Sequence, residues 1–113
     1  MELRVFTSEN LKDYLARPGI VLVDFWAPWC APCHRFTPIF AAAAERHPEV
    51  TFGQVNTDEQ QDLARVLGIT SIPTVMAFVN GRQVFSQPGA MTGRKLDTLV
   101  TQVSELKIPT DSP

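Results

Sequence analysis

Seven residues, Ile20 to Trp26 with the sequence "IVLVDFW", constrain the fold more than any other stretch of the chain. Six are apolar and do not alternate with polar neighbours, so an extended segment here needs cover on both faces. That is the pattern of a central strand with helices on either side. Asp24 is its one charged residue. Just past its end stands Cys30-Ala31-Pro32-Cys33-His34, at the strand edge where open α/β sheets place their sites.

The rest of the chain alternates around this strand. A short strand is expected near Leu3 to Phe6, then a helix capped by Thr7 or Ser8, with Leu11, Tyr14 and Leu15 on one face and Pro18-Gly19 closing it. Arg35 to His47, "RFTPIFAAAAERH", is rich in helix formers, and Pro38 should bend that helix. Val50 to Thr57 reads as a strand. Leu63, Val66 and Leu67 give an apolar face to a helix that starts near Asp58 or Glu59 and stops at Gly68. "TVMAFV", Asn80-Gly81 and "RQVFSQ" form a hairpin pattern with a preferred turn dipeptide. Leu96, Leu99, Val100, Val103 and Leu106 stripe a last helix, which leaves residues 108–113 as a flexible tail after a domain of residues 1–107. The order is β-α-β-α-β-α-β-β-α, an α/β fold, and the strand-helix-strand unit around the cysteines should cross over right-handed.

Composition narrows the function. The 113 residues suffice for one domain with its own core, being 44% hydrophobic. A net charge of −2 without a basic cluster argues against nucleic acid. No apolar run approaches the ~18 residues that cross a bilayer, so no membrane role is expected. The charged N-terminus lacks the features of an export signal, and the chain reads as cytoplasmic. In that compartment two cysteines three apart point to chemistry, since they cannot staple distant elements.

Three chemistries compete for the cysteines. The C-x-x-C-H spacing matches covalent haem attachment, with Met76 or Met91 available as a second axial ligand, but no spare apolar segment encloses a porphyrin. Structural zinc needs four ligands; the chain offers Cys30, Cys33, His34 and His47, of which His34 is awkwardly adjacent to Cys33 and His47 lies at the far end of a helix. A redox dithiol fits better. At the opening of a helix the two side chains approach on one side, and the unpaired amides and positive dipole end favour the thiolate of Cys30. Pro32 costs little in a first turn. Cys30 is then the nucleophile and Cys33, deeper in the helix, stays protonated. Resolving the mixed disulfide requires Cys33 to lose its proton, and Asp24, desolvated within its strand, is the candidate base.

The stretches "VLVDFWAPWCAPC", "GITSIPT", "FVNGRQV" and "GAMTG", in that order, closely resemble the thioredoxin family over roughly Phe6 to Val103. The resemblance is nearest to the bacterial thioredoxin 2 type, without the zinc-binding N-terminal extension some of those carry. It implies the thioredoxin fold, a mixed five-stranded sheet flanked by four helices, and a protein-disulfide reductase recharged by NADPH through thioredoxin reductase, with no cofactor or metal bound. It implies a cis Ile72-Pro73 bond opposite the cysteines, with the Ile72 backbone free to pair with an extended substrate. It also implies an exposed Trp29 beside the sulfur, a more buried Trp26, and a small-residue loop at Gly89 and Ala90. With Ala31, Pro32 and Ile72 these surfaces would form an apolar docking patch for disulfide-containing clients of a monomer.

Three positions depart from the family pattern. Gln54 stands where a lysine often faces the buried acid, and a neutral amide cannot favour the carboxylate by charge. Ala31 replaces a glycine and stiffens the turn slightly. His34 replaces a lysine and would support a thiolate only in its protonated form. A disulfide oxidase or isomerase, or a non-catalytic interaction module on the same fold, are the competing readings. A reducing couple is expected, because an export signal and a histidine between the cysteines are both lacking.

Overall fold

The apolar run forms β2 (Ile20–Trp26), the middle strand of a five-stranded sheet. In this computed structural model, which describes residues 3–109, it is preceded by β1 (Arg4–Val5) and α1 (Asn10–Leu15). It is followed by α2 (Ala31–Arg46), β3 (Thr51–Asn56), α3 (Gln61–Val66), β4 (Thr74–Val79), β5 (Arg82–Pro88) and α4 (Gly93–Ser104). The strands lie in the order β1-β3-β2-β4-β5. β1, β3 and β2 run parallel, and β4 and β5 run antiparallel to their neighbours. Asp24 therefore sits between Gln54 on β3 and Val75 on β4.

Side chains alternate across β2 and feed two cores. Leu22 packs with Phe36, Phe40, Phe52 and Leu96 under α2 and α4, while Val21, Val23 and Phe25 pack with Phe6, Leu11 and Phe78 on the opposite face. Asp24 has the parity of Leu22, so its carboxyl points to the α2 side. Within that core Phe40 meets Phe36 at 5.6 Å and Phe52 at 5.1 Å between ring centroids, in the tilted and edge-on geometries that aromatic pairs prefer.

Local chemistry sets the element ends. Thr7 and Asn10 cap α1 reciprocally: Asn10 N–H donates to Thr7 Oγ1 and Thr7 N–H to Asn10 Oδ1. Thr92 Oγ1 accepts from Lys95 N–H at the start of α4. The β4–β5 turn holds both Asn80 and Gly81 at positive φ, 51° and 84°, as the favoured two-residue hairpin turn requires. A Cβ at position 81 would lie 2.6 Å from the Leu15 carbonyl oxygen, so glycine serves the turn twice over.

Several expectations need correction. α3 begins at Gln61, two or three residues late, because the Asn56 side chain accepts the N–H groups of Asp58 and Glu59 and closes a turn there. Its apolar face is also narrower than the spacing implies: Leu63 and Leu67 are half-buried, Ala64 is buried, and Val66 is 77% exposed. α4 stops at Ser104, which leaves Leu106 outside the stripe and exposed. Ile108, the first residue of the expected tail, packs on the α2–α4 core and its carbonyl accepts from Asn80 Nδ2 at 2.6 Å. Residues 110–113 of that tail lie outside the described residues.

A candidate dithiol active site

Cys30 leaves the sheet edge in an extended conformation (φ −92°, ψ 104°) and serves as the N-cap of α2. Its Sγ accepts the N–H of Cys33 at 3.2 Å. Serine or aspartate oxygen usually fills this role, so a sulfur here is held where a negative charge is best tolerated. The two cysteines are joined by a disulfide with their Cα atoms 5.3 Å apart. Cys30 keeps 5% exposure and Cys33 has none, so any approach from solvent reaches Cys30 first. Both pack with Ala27, against Trp26 and Ile72.

Beneath α2, Asp24 is completely buried. Burial raises its pKa from the ordinary 3.8 to about 6, against the opposing pull of a hydrogen bond from Gln54. Gln54 Nε2 donates to Asp24 Oδ2 at 2.9 Å and to Thr37 Oγ1 at 3.1 Å, and Thr37 Oγ1 donates to the Cys33 carbonyl at 3.1 Å. Gln54 thus meets the acid as its register position requires, through a dipole instead of a charge.

The remaining predicted residues gather around the sulfurs. The Ile72-Pro73 bond is cis. Ile72 packs against the cysteine cluster, and Gly89 N–H donates to the Pro73 carbonyl at 2.7 Å, which ties the Gly89-Ala90 loop to this strand start. Ala31, Pro32, Gly89 and Ala90 are exposed. Trp29 is 72% exposed, its indole N–H donating to the Asp58 carboxylate at 3.1 and 3.3 Å, and Trp26 is half-buried.

Two partners escaped sequence reasoning. Asp58 braces Trp29 across 29 positions, with no local signal to reveal it. Thr37 had a signal: it lies one helical turn after Cys33, within reach of that carbonyl. His34, already singled out in the sequence, lies with its Nε2 2.6 Å from the Pro28 carbonyl and its ring edge-on to Trp26. That ring braces the loop leading to Cys30. Among the described residues no three His, Cys, Asp or Glu side chains converge as metal ligands, and no helix is long and apolar enough to cross a membrane.

Two cysteines three residues apart, bridged at the mouth of a helix, are the redox centre of a thiol-disulfide oxidoreductase. Comparison with known proteins narrows this class. Residues 2–104 match the thioredoxin family model. The chain is 42% identical to a Streptomyces coelicolor protein provisionally named thioredoxin 2, over 88% of this chain and 75% of that one. It is 38% identical to the thioredoxin of Mycoplasma pneumoniae, over 90% of this chain and the whole of its relative. Among solved structures it resembles a single-site mutant of a thioredoxin from Halobacterium salinarum, with a TM-score of 0.86, 30% identity and coverage of 96% and 95% of the two chains. The chain belongs to the thioredoxin family, and it is a protein-disulfide reductase.

Proposed function

We propose that Cys30 is the attacking sulfur, Cys33 the resolving one and Asp24 the base that serves Cys33. The Cys30 thiolate attacks one sulfur of a client disulfide, forming a mixed disulfide and releasing the other client sulfur as a thiolate that takes up a proton. Cys33 then passes its proton to the Asp24 carboxylate and attacks Cys30. The Cys30–Cys33 bond forms, the mixed disulfide breaks, and the second client sulfur leaves with its electron pair and is protonated. The client gains two electrons and this chain loses two.

The observation that carries this assignment is the unequal setting of the two sulfurs: Cys30 caps the helix and retains exposure, while Cys33 is wholly buried. Asp24, with a pKa near 6, is mostly ionised at neutral pH and able to accept a proton. Pro73 has no N–H to compete for the Ile72 backbone, so an extended client segment can pair there while its side chains rest on Trp29, Ala31, Pro32, Ile72, Gly89 and Ala90. Trp26 and Gln54 support the site from below. NADPH, through thioredoxin reductase, returns the two electrons, and the protein works in the cytoplasm as a carrier for many disulfide-containing clients.

Insulin reduction driven by dithiothreitol tests the assignment. Cys30→Ser should abolish the rate, whereas Cys33→Ser should accumulate a mixed disulfide through Cys30. Full activity in Cys30→Ser, or trapping through Cys33, would overturn it. Consumption of NADPH on adding a thioredoxin reductase and a disulfide client tests the electron source.

A further inference from the structure

The side-chain amide of Gln54 touches two groups at once, Asp24 Oδ2 and Thr37 Oγ1. The bond directions follow from which atoms own hydrogens. The Cys33 carbonyl can only accept, so the single hydroxyl proton of Thr37 is spent on it. Thr37 Oγ1 then offers Gln54 only lone pairs, as does the carboxylate of Asp24. Between two acceptors the amide must present its NH2 end, one hydrogen to each.

This matters because an amide is ambidextrous. Left free, Gln54 could donate N–H to an ionised Asp24 or turn end for end and accept O–H from a protonated one, serving both states alike. Turned that way here, its Oε1 would confront Thr37 Oγ1, and relief would require Thr37 to withdraw its proton from Cys33. Asp24 Oδ1 has no hydrogen-bond partner among the described residues, so the carboxyl's described hydrogen-bonded support is one N–H of Gln54.

We propose that Thr37 and Gln54 are positioning residues for Asp24: Thr37, tethered to the Cys33 carbonyl, locks the Gln54 amide with an N–H toward the acid, which favours its ionised form. The inference rests on Asp24 serving as the base for Cys33. A neutral pair does here, by orientation, what a cation would do by charge. Its sheet neighbour on the other side is Val75 of β4, and α2 reaches it through Thr37, whose hydroxyl is bonded to the carbonyl of Cys33, itself joined to Cys30. Of these only the two cysteines titrate, and in the oxidised protein neither does.

The test is the pH titration of the Asp24 carboxyl carbon by NMR in the oxidised protein. Thr37→Val, which keeps the shape and loses the hydroxyl, should raise the midpoint by about half a unit, roughly a threefold change in the acid constant. Thr37→Ser should restore it. In a Gln54→Leu background, itself raised, Thr37→Val should add nothing. An unchanged midpoint in Thr37→Val, or an equal rise in the Gln54→Leu background, overturns the proposal. A second readout separates it from the reading beneath it: the pH profile of mixed-disulfide resolution, followed by the coloured thiolate released from an aryl disulfide reagent. Should the Asp24 midpoint move while that profile stays still, the base role of Asp24 fails and the Thr37 tether stands.

Discussion

Asp24, the proposed base, also makes the stability of the protein depend on pH. Its pKa is 3.8 when unperturbed and about 6 in the fold, so between those values the folded state binds more protons than the unfolded one and stability falls as pH rises. The contribution is intact below about pH 4, is lost as pH climbs through about 6, and amounts to about 3 kcal/mol for a two-unit shift. Asp24→Asn keeps an acceptor for Gln54 and removes the charge. Relative to wild type it should gain about 2–3 kcal/mol between pH 4 and pH 8 in urea unfolding, and parallel pH curves for the two proteins would contradict the burial argument. Both the residue and its desolvation were legible in the sequence, as a lone carboxylate in an apolar run. Its partner's orientation was not, because that depends on Thr37, which α2 carries over the sheet from 17 positions away.

Elements meet most tightly where a residue has no side chain to yield. Gly53 on β3 lies under Phe6, and a Cβ there would overlap the Phe6 ring. Gly53→Ala should cost about 1–3 kcal/mol, the usual penalty of overpacking, and Phe6→Leu in the same chain should recover part of it in thermal unfolding. Equal stability of Gly53→Ala and wild type would mean that β1 and α1 shift freely. Element identity followed from pattern: the unbroken apolar run for β2, the Asn80-Gly81 turn for the hairpin, and the leucine-valine stripe for α4. α3 departs because a six-residue helix beside the Asn56 turn buries one narrow edge, so Val66 has nothing to cover it while Ala64 is enclosed. Spacing shows which residues share a face; it does not show how much of that face a neighbour covers.

On the scale of the molecule, the dithiol stands on a core built from residues far apart in the chain. Phe40 joins Phe36 and Phe52 at the centre of the α2 face and is wholly buried, so Phe40→Ala should destabilise by about 3–5 kcal/mol. Because α2 also carries Cys33 and is capped by Cys30, the same variant should lower the denaturation midpoint while leaving the identity of the attacking sulfur unchanged, as alkylation of the reduced protein would report. The sequence by itself determined the order of elements, the covered central strand, the sulfur pair at a helix opening and the isolated acid, because each depends on residues adjacent or one turn apart. The tertiary structure alone decided that Gln54 donates to Asp24 under the control of Thr37, that Asp58 holds Trp29, and that Asn80 anchors Ile108. Those contacts join separate elements, and their hydrogen-bond directions follow only when all the competing donors and acceptors occupy one place.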